Sequence, residues 1–267
     1  MSTTVSLIIT TYNWPKALLK TLKSVAFQTR VPDEIIIADD GSGKETLAVI
    51  TSFQYQHPEL QVIHSWQEDA GYRLSRSRNL AMAKAKCDYI IFVDGDMILD
   101  KHFVADHLDV AREGQFVAGR RVRLTESYSQ QLLYTDEYPS LFKGGFEKHR
   151  LDALRCKFLS RVRSTVSSET GGIHGCNMAF FRADALAVNG FNESFVGWGA
   201  EDKEFAARLF NIGCRKLKLK NWAIGYHVFH KELSRELEPI NRQIFDFTLA
   251  NNLKRCKTGV SQFVQSI

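Results

Sequence analysis

Two acids separated by a glycine, Asp94-Gly95-Asp96, follow the apolar run YIIFV and give the sharpest chemical signal in the chain. Paired hard oxygens suit Mg2+ or Mn2+, ions commonly held by one or two carboxylates together with substrate phosphates. The same residues would also make an ordinary acidic turn. Asp39-Asp40-Gly41-Ser42 follows a second apolar run, EIIIA. Its carboxylates can accept hydrogen bonds from a nucleobase imide or a ribose hydroxyl, although Asp, Gly and Ser are also the residues that turns select. Gly197-Trp198-Gly199-Ala200-Glu201-Asp202 sets an aromatic platform beside two acids that open a helix. One of those acids could serve as a general base, and both are also what a helix N-terminus stabilises through its dipole. Tyr226-His227-Val228-Phe229-His230 adds two imidazoles downstream, which makes one of them a plausible metal ligand.

The elements that must position these groups are legible from periodicity. Val5 to Thr10 (VSLIIT) predicts a strand, and Leu18, Leu19, Leu22, Val25 and Ala26 fall at helical spacing behind Asn13, a candidate cap, and Pro15, suited to a first helical turn. Glu34 to Ala38 predicts a second strand, Lys44 to about Phe53 a helix, and Gln61 to His64 a third strand. Tyr72 to Ala85 predicts a helix and Tyr89 to Val93 a fourth strand. Short runs that are apolar on both faces and alternate with helices imply an α/β fold, a mostly parallel sheet covered on both faces. Such sheets bind ligands at the carboxyl ends of their strands, where Thr10 to Asn13, Asp39 to Ser42 and Asp94 to Asp96 all fall. Regular structure is expected again near His174 to Phe181, from Glu201 to Phe210, and in a C-terminal helix that docks through Phe245, Leu249, Leu253 and Cys256.

Composition narrows the class. With 267 residues, 44% hydrophobic and 24% charged, the chain can bury a large core, which excludes disordered and fibrous proteins. Neither G-x-G-x-x-G after the first strand nor G-x-x-x-x-G-K-[ST] occurs, which removes support for dinucleotide-dependent dehydrogenases and P-loop enzymes. Five cysteines without metal or redox spacing read as reduced thiols. The opening MSTTVSLIITTYNWP lacks the basic start and longer apolar stretch of a secretory signal, and no apolar run is long enough to cross a bilayer. A cytoplasmic location, peripheral at most to the inner face of the plasma membrane, is expected. The formal charge of +5 is matched by Arg120 to Arg163, with ten Lys and Arg against five Asp and Glu.

Taken together, SLIITTYN, IIIADDGS, Arg78-Asn79 and Asp94-Gly95-Asp96, in that order, resemble the family 2 glycosyltransferases with an A-type, nucleotide-diphospho-sugar-binding fold. GCNMAFFR followed by GFNESFVGWGAEDKEFAARL resembles the C-terminal galactosyltransferase-type module of β-1,4-galactosyltransferases and bacterial chondroitin-type polymerases. The resemblance spans about residues 5 to 230 and implies inverting, metal-dependent transfer of a hexose or N-acetylhexosamine from a UDP-sugar to a saccharide or glycolipid acceptor. It implies Thr10, Tyr12 and Asp40 in a uridine pocket, with Asp39 beside them and Arg73 reaching the nucleotide. Asp94 and Gly95 would meet the donor, Asp94 touching ribose or metal, and Asp96 would be the principal ligand of Mn2+ or Mg2+. His227 or His230 would complete the metal shell, with His227 preferred from its HVF context. Asp202 would be the base, Glu201 would hold donor or acceptor hydroxyls, and Gly197, Trp198 and Gly199 would shape the acceptor site. Ala200 departs from the pattern, because relatives often carry Gly or Pro there.

The chain is accordingly divided into a nucleotide-sugar half (1–118), a basic insertion (119–170) and an acceptor and catalytic half (171–267). The insertion has no counterpart in the resemblance, and its charge points to an anionic acceptor or an anionic membrane. A bacterial surface glycan, lipopolysaccharide or capsule, is the expected product. A sugar nucleotidyltransferase would need a Gly- and Arg-rich loop where TTYNWP stands, and a silent sugar-nucleotide binder would lack one of Asp94, Asp96 and Asp202. No recognition helix or zinc or RNA-binding signature supports a nucleic-acid partner.

Overall fold

The computed structural model describes residues 3–147, 150–231 and 234–264. Strands β1 (Val5–Thr11), β2 (Glu34–Asp39), β3 (Val62–Trp66) and β4 (Tyr89–Asp94) alternate with helices α1 (Pro15–Ala26), α2 (Lys44–Gln56) and α3 (Leu74–Lys84). Then come β5 (Met97–Leu99), α4 (Phe103–Val110), β6 (Gln115–Gly119), β7 (Arg121–Arg123), α5 (Glu126–Tyr134), α6 (Lys157–Arg163) and β8 (Thr165–Ser167). The last elements are β9 (Asn177–Phe181), α7 (Arg182–Ala187), α8 (Glu201–Asn211), β10 (Arg215–Leu219), β11 (Gly225–His227) and α9 (Glu238–Ala250).

Eight strands form one sheet in the order β3-β2-β1-β4-β9-β6-β10-β8. β3, β2, β1 and β4 are parallel neighbours, as are β6 and β10, while β9 and β8 run against their partners. The continuous apolar runs are explained by burial on both sides, because successive strand residues face opposite ways. Leu7, Ile9, Ile35 and Ile37 pack with Leu18 and Leu22 of α1 and Ile50 and Phe53 of α2. Ile8 and Ile36 turn to the other side, against Ala81 and Met82 of α3 and Phe205 and Leu209 of α8. The mostly parallel α/β sheet expected from the sequence is therefore present.

A second sheet, β5-β11-β7, joins β11 antiparallel to β5 and parallel to β7. Ile98, Tyr226 and Val122 share a small core with Tyr128 and Leu132 of α5. By the two-residue alternation of strands, Met97, His227, Arg121 and Arg123 share the opposite face.

Two expectations are corrected. Asn13 does not cap α1: the cap position is Trp14, without a side-chain bond. Asn13 instead adopts φ 45°, with its Oδ1 accepting from Gly43 N (2.9 Å) and its own N donating to Ser42 Oγ (2.9 Å), so it clamps two loops together. The C-terminal helix stops at Ala250, because Asn252 takes a left-handed conformation (φ 47°) that ends the helical run. Phe245 is buried but Leu249 is exposed, and Leu253 and Cys256 lie beyond the helix, so the four do not form one docking stripe.

Part of the basic segment is neutralised across space. Arg155 makes a bidentate contact with the buried Asp106 of α4 (2.8 and 2.6 Å), and Lys157 reaches Asp109 (2.9 Å). Arg120 and Arg163 both meet the buried Asp152, at 3.5 and 2.9 Å. All five cysteines are free, and among the described residues no helix is long and apolar enough to cross a membrane.

Candidate active site

The carboxyl ends of β1, β2 and β4 carry the first group of candidates. Parallel register sets Thr10 opposite both Ala38 and Asp94, and Thr10 Oγ1 donates to Asp94 Oδ1 (2.8 Å). Gly95 follows, its N donating to Thr10 O (2.6 Å), and a Cβ there would stand 2.7 Å from that carbonyl oxygen. Only glycine lets the chain turn this close to β1.

Asp39 and Asp40 are both buried and bonded by the protein itself. Asp39 accepts from Ser42 N (2.8 Å) and contacts His64 Nε2 (2.9 Å). Burial would push its carboxyl up, but these bonds outweigh it and hold the group below the usual range. Asp40 accepts from Arg73 N (2.8 Å) and from Gln67 Nε2, yet burial still raises it. The Arg73 guanidinium donates to Glu68 O. Tyr12 stands at the mouth, about half exposed, with its hydroxyl donating to Asp69 Oδ2 (2.9 Å). Gly41, at φ 99°, lies where a Cβ would stand 2.5 Å from Asp69 Cα, so the loops after β1, β2 and β3 are knit into one wall.

Asp96 ends the turn after Gly95 and meets the second sheet. Val228 N donates to Asp96 O (3.0 Å), which brings the end of β11 alongside. His227 Nε2 and His230 Nε2 lie 3.5 and 3.4 Å from Asp96 Oδ2, and one ligand atom from each of the three residues fits within 4.8 Å. The structure thus gathers both histidines. His230 Nδ1 contacts Lys231 O (2.8 Å); a carbonyl accepts only, so Nδ1 is the donor there and Nε2 is the ring nitrogen turned to Asp96. Asp96 Oδ1 is buried with no hydrogen-bond partner among the described residues, and burial, then the neighbouring Asp94, pushes the carboxyl up to about 7. Burial pushes His227 down to about 3, so it is a neutral base. A buried carboxylate, a neutral His227 and the His230 imidazole within reach of the same oxygen fit a divalent cation. Asp94 stands outside this cluster, its Oδ1 bonded to Thr10 and 3.7 Å from Arg78.

The third group comes from the turn before α8. Gly197, Gly199 and Ala200 all have positive φ, and Asn241 Nδ2 of α9 donates to Val196 O and Trp198 O (3.1 Å each), fixing the turn. Trp198 is 37% exposed. Asp202 accepts from Gly175 N (3.1 Å) and Lys203 N (2.7 Å). Burial, then the adjacent Glu201 charge, raises it to about 7, with Arg78 working against the shift.

Arg78 joins these groups, and sequence reasoning gave it a motif but no role. Wholly buried in α3, its guanidinium lies 3.7 Å from Asp94 Oδ1 and 3.2 Å from Glu201 Oε1, over the Phe191 ring at 4.9 Å. A Cβ at Gly175 would overlap that guanidinium. Asn79 beside it donates to Phe191 O (2.8 Å) and accepts from Phe191 N (2.8 Å), bracing the chain that leads to Trp198. The available signal was an arginine set among small residues in LSRSRNLA. Arg121 and Arg123 were also missed as site residues. With Trp198, His227, His230 and Arg235 they line one pocket, and RVR is too short to have signalled it.

The profile of "Glycosyl transferase family 2" matches residues 6–185, and a second profile, "N-terminal domain of galactosyltransferase", matches residues 159–231. The chain is 28% identical to a chondroitin synthase of Escherichia coli over 83% of its length and 34% of that protein. It is 27% identical to a validoxylamine A glucosyltransferase of Streptomyces hygroscopicus subsp. limoneus over 82% of its length and 51% of that protein. It therefore spans about a third to a half of these relatives. Among solved structures, S. aureus TarS 1–349 in complex with UDP-GlcNAc superposes with a TM-score of 0.64 at 19% identity, covering 97% of this chain and 69% of that one. A mannosyltransferase of Pyrobaculum calidifontis in complex with GDP-Man and Mn2+ gives 0.63 at 17% identity, covering 94% and 65%. The chain belongs to glycosyl transferase family 2 and is a glycosyltransferase with the A-type fold.

Proposed function

We propose that the enzyme moves a hexose or N-acetylhexosamine from a UDP-sugar to a saccharide or glycolipid hydroxyl, inverting the anomeric carbon, in the assembly of a bacterial surface glycan. The observation that carries this reading is the Arg78 bridge between Asp94 and Glu201, which sets the acids at the start of α8 against the acidic edge of the sheet. UDP-GlcNAc in the TarS complex and the polymerase and glucosyltransferase relatives support it.

Thr10, Tyr12, Asp39, Asp40 and Arg73 form the nucleotide end, with Asp94 and Gly95 next to the diphosphate. Asp96, His227 and His230 would hold Mn2+ or Mg2+, the nitrogen ligands favouring Mn2+. When bound, that ion supplies positive charge against the departing diphosphate. Asp202, raised to about 7, is matched to general-base work near neutral pH. Its carboxylate takes the proton of the acceptor hydroxyl as that oxygen bonds to the anomeric carbon and the bond from that carbon to the diphosphate breaks. UDP leaves, and a single displacement inverts the centre. Glu201, held by Arg78, orients sugar hydroxyls, and Gly197, Trp198 and Gly199 shape the acceptor side. The test is UDP release with Mn2+ across UDP-hexoses and UDP-N-acetylhexosamines with mono- and disaccharide acceptors. Release from at least one donor is expected, and none from any would overturn the reading.

A further inference from the structure

The face of the second sheet that carries His227 also carries Arg121 and Arg123. Parallel register sets Arg123 beside His227 and Arg121 beside Gly225, so both guanidiniums project from the strand next to the metal-ligand strand. They line the pocket that Trp198 and Arg235 close from the other side, with the Arg235 guanidinium 4.5 Å from the Trp198 ring centroid. Among the described residues that line this pocket the carboxylate is Glu147, paired with Arg123 at 2.9 Å, while Arg235 meets Glu238 at 3.9 Å. Arg121 donates to Cys176 Sγ (3.9 Å) and has no ion pair within 4 Å among the described residues. Arg155 and Lys157 of the same segment are matched by Asp106 and Asp109, and Arg120 and Arg163 share Asp152, while Arg121 and Arg123 line the pocket beside the Trp198 ring.

We propose that this pocket is the acceptor subsite and that it selects a saccharide bearing an anionic group, a carboxylate or a phosphate. The proposal rests on the donor assignment above. A planar guanidinium binds either oxyanion through paired hydrogen bonds, and the exposed Trp198 face offers apolar contact for the ring that bears it. In the second sheet β7 lies across β11 from β5, the strand that follows Asp96, and this placement carries the assignment of the two arginines to the acceptor.

The experiment uses the full chain saturated with Mn2+ and UDP, and measures binding of glucose, glucuronate and glucose 6-phosphate by saturation-transfer NMR. At least one acid should bind about tenfold tighter than glucose, the contribution of one charge-assisted hydrogen bond, and the tighter of the two names the anion. Arg123→Gln should abolish that preference and Arg123→Lys should restore part of it, with the affinity for UDP and Mn2+ unchanged in both. Equal binding of all three sugars would overturn the proposal while leaving the donor reading intact, as would an acid preference that survives Arg123→Gln. Acids that bind only without UDP, and are displaced by it, would assign the guanidiniums to the donor diphosphate instead. Failure of the wild-type protein to bind UDP with Mn2+ would overturn the donor reading and the subsite with it.

Discussion

At the carboxyl ends of β1 and β2, Asp39 and Asp40 have both oxygens bonded by Ser42, His64, Gln67 and Arg73, whereas across the cleft Asp96 keeps an oxygen with no hydrogen-bond partner among the described residues and Asp202 is held by the backbone N–H groups of Gly175 and Lys203. Both pairs are acidic, close to glycines and set at element ends. What separates them is charge: burial acts on all four, but at Asp39 and Asp40 the bonds that hold the loops work against it, whereas at Asp96 and Asp202 a neighbouring acid, Asp94 or Glu201, adds to it and the carboxyls rise to about 7. Carboxylates kept costly in this way mark where a ligand or a proton is expected to arrive.

The largest test of this division separates Asp96 from Asp202. Asp96→Asn should remove Mn2+-dependent UDP binding and lower turnover by about a thousandfold or more, corresponding to several kcal/mol of charge stabilisation. Asp202→Asn should lower turnover by about 10²–10⁴ while leaving the calorimetric affinity for UDP and Mn2+ unchanged. The division fails if both variants lose donor binding alike. Because the deprotonated form of Asp202 is the working one, wild-type kcat/KM should rise with pH up to about 7 and level off above it. Asp202→Asn should lose that inflection and Asp39→Asn should keep it.

Arg78 spans the two regions, so its loss should be felt in both. Arg78→Met leaves Asp94 and Glu201 without their cation in a buried setting and should cost about 3–5 kcal/mol in urea unfolding. A loss below about 1 kcal/mol would mean the bridge is incidental. Asp39→Asn should be milder, about 1–2 kcal/mol of stability for the weakened bonds to Ser42 and His64, with turnover within about threefold of wild type. If it instead abolished turnover as Asp96→Asn should, Asp39 would belong with the chemical pair.

Much of this was legible in the sequence for one physical reason. VSLIIT, EIIIA and YIIFV are buried on both faces, so their continuous hydrophobicity marks strands unambiguously, and the polar residues after each must lie at one edge. The second sheet was not legible, because strands of three residues such as GYH and RVR are too short to show a period. Arg78 was hidden because a wholly buried arginine in a helix has the sequence signature of a surface one. Net charge could not apportion the basic segment: a sum along the chain cannot show that Arg155 and Lys157 are matched by Asp106 and Asp109 of α4 while Arg121 and Arg123 line a pocket. The choice between His227 and His230 was also beyond sequence spacing, since the turn after β11 brings both imidazoles to Asp96.

The smallest test concerns how the chemical pair is held. Ala200 caps α8 at φ 67°, a left-handed conformation that costs a residue with a Cβ roughly 1 kcal/mol, directly before Glu201 and Asp202. Ala200→Gly removes that strain but frees the unfolded chain, and where φ is positive the first effect wins, so unfolding should require about 1 kcal/mol more. The same change loosens the turn that aims Asp202, and small misplacements of a base are felt in the reaction before they are felt in binding. Turnover should therefore fall by about two- to fivefold while donor affinity holds. Greater stability with lower turnover would mean that the strained alanine helps to hold the base in position. Greater stability with unchanged turnover would mean that Asn241 and Gly175 hold Asp202 well enough without it.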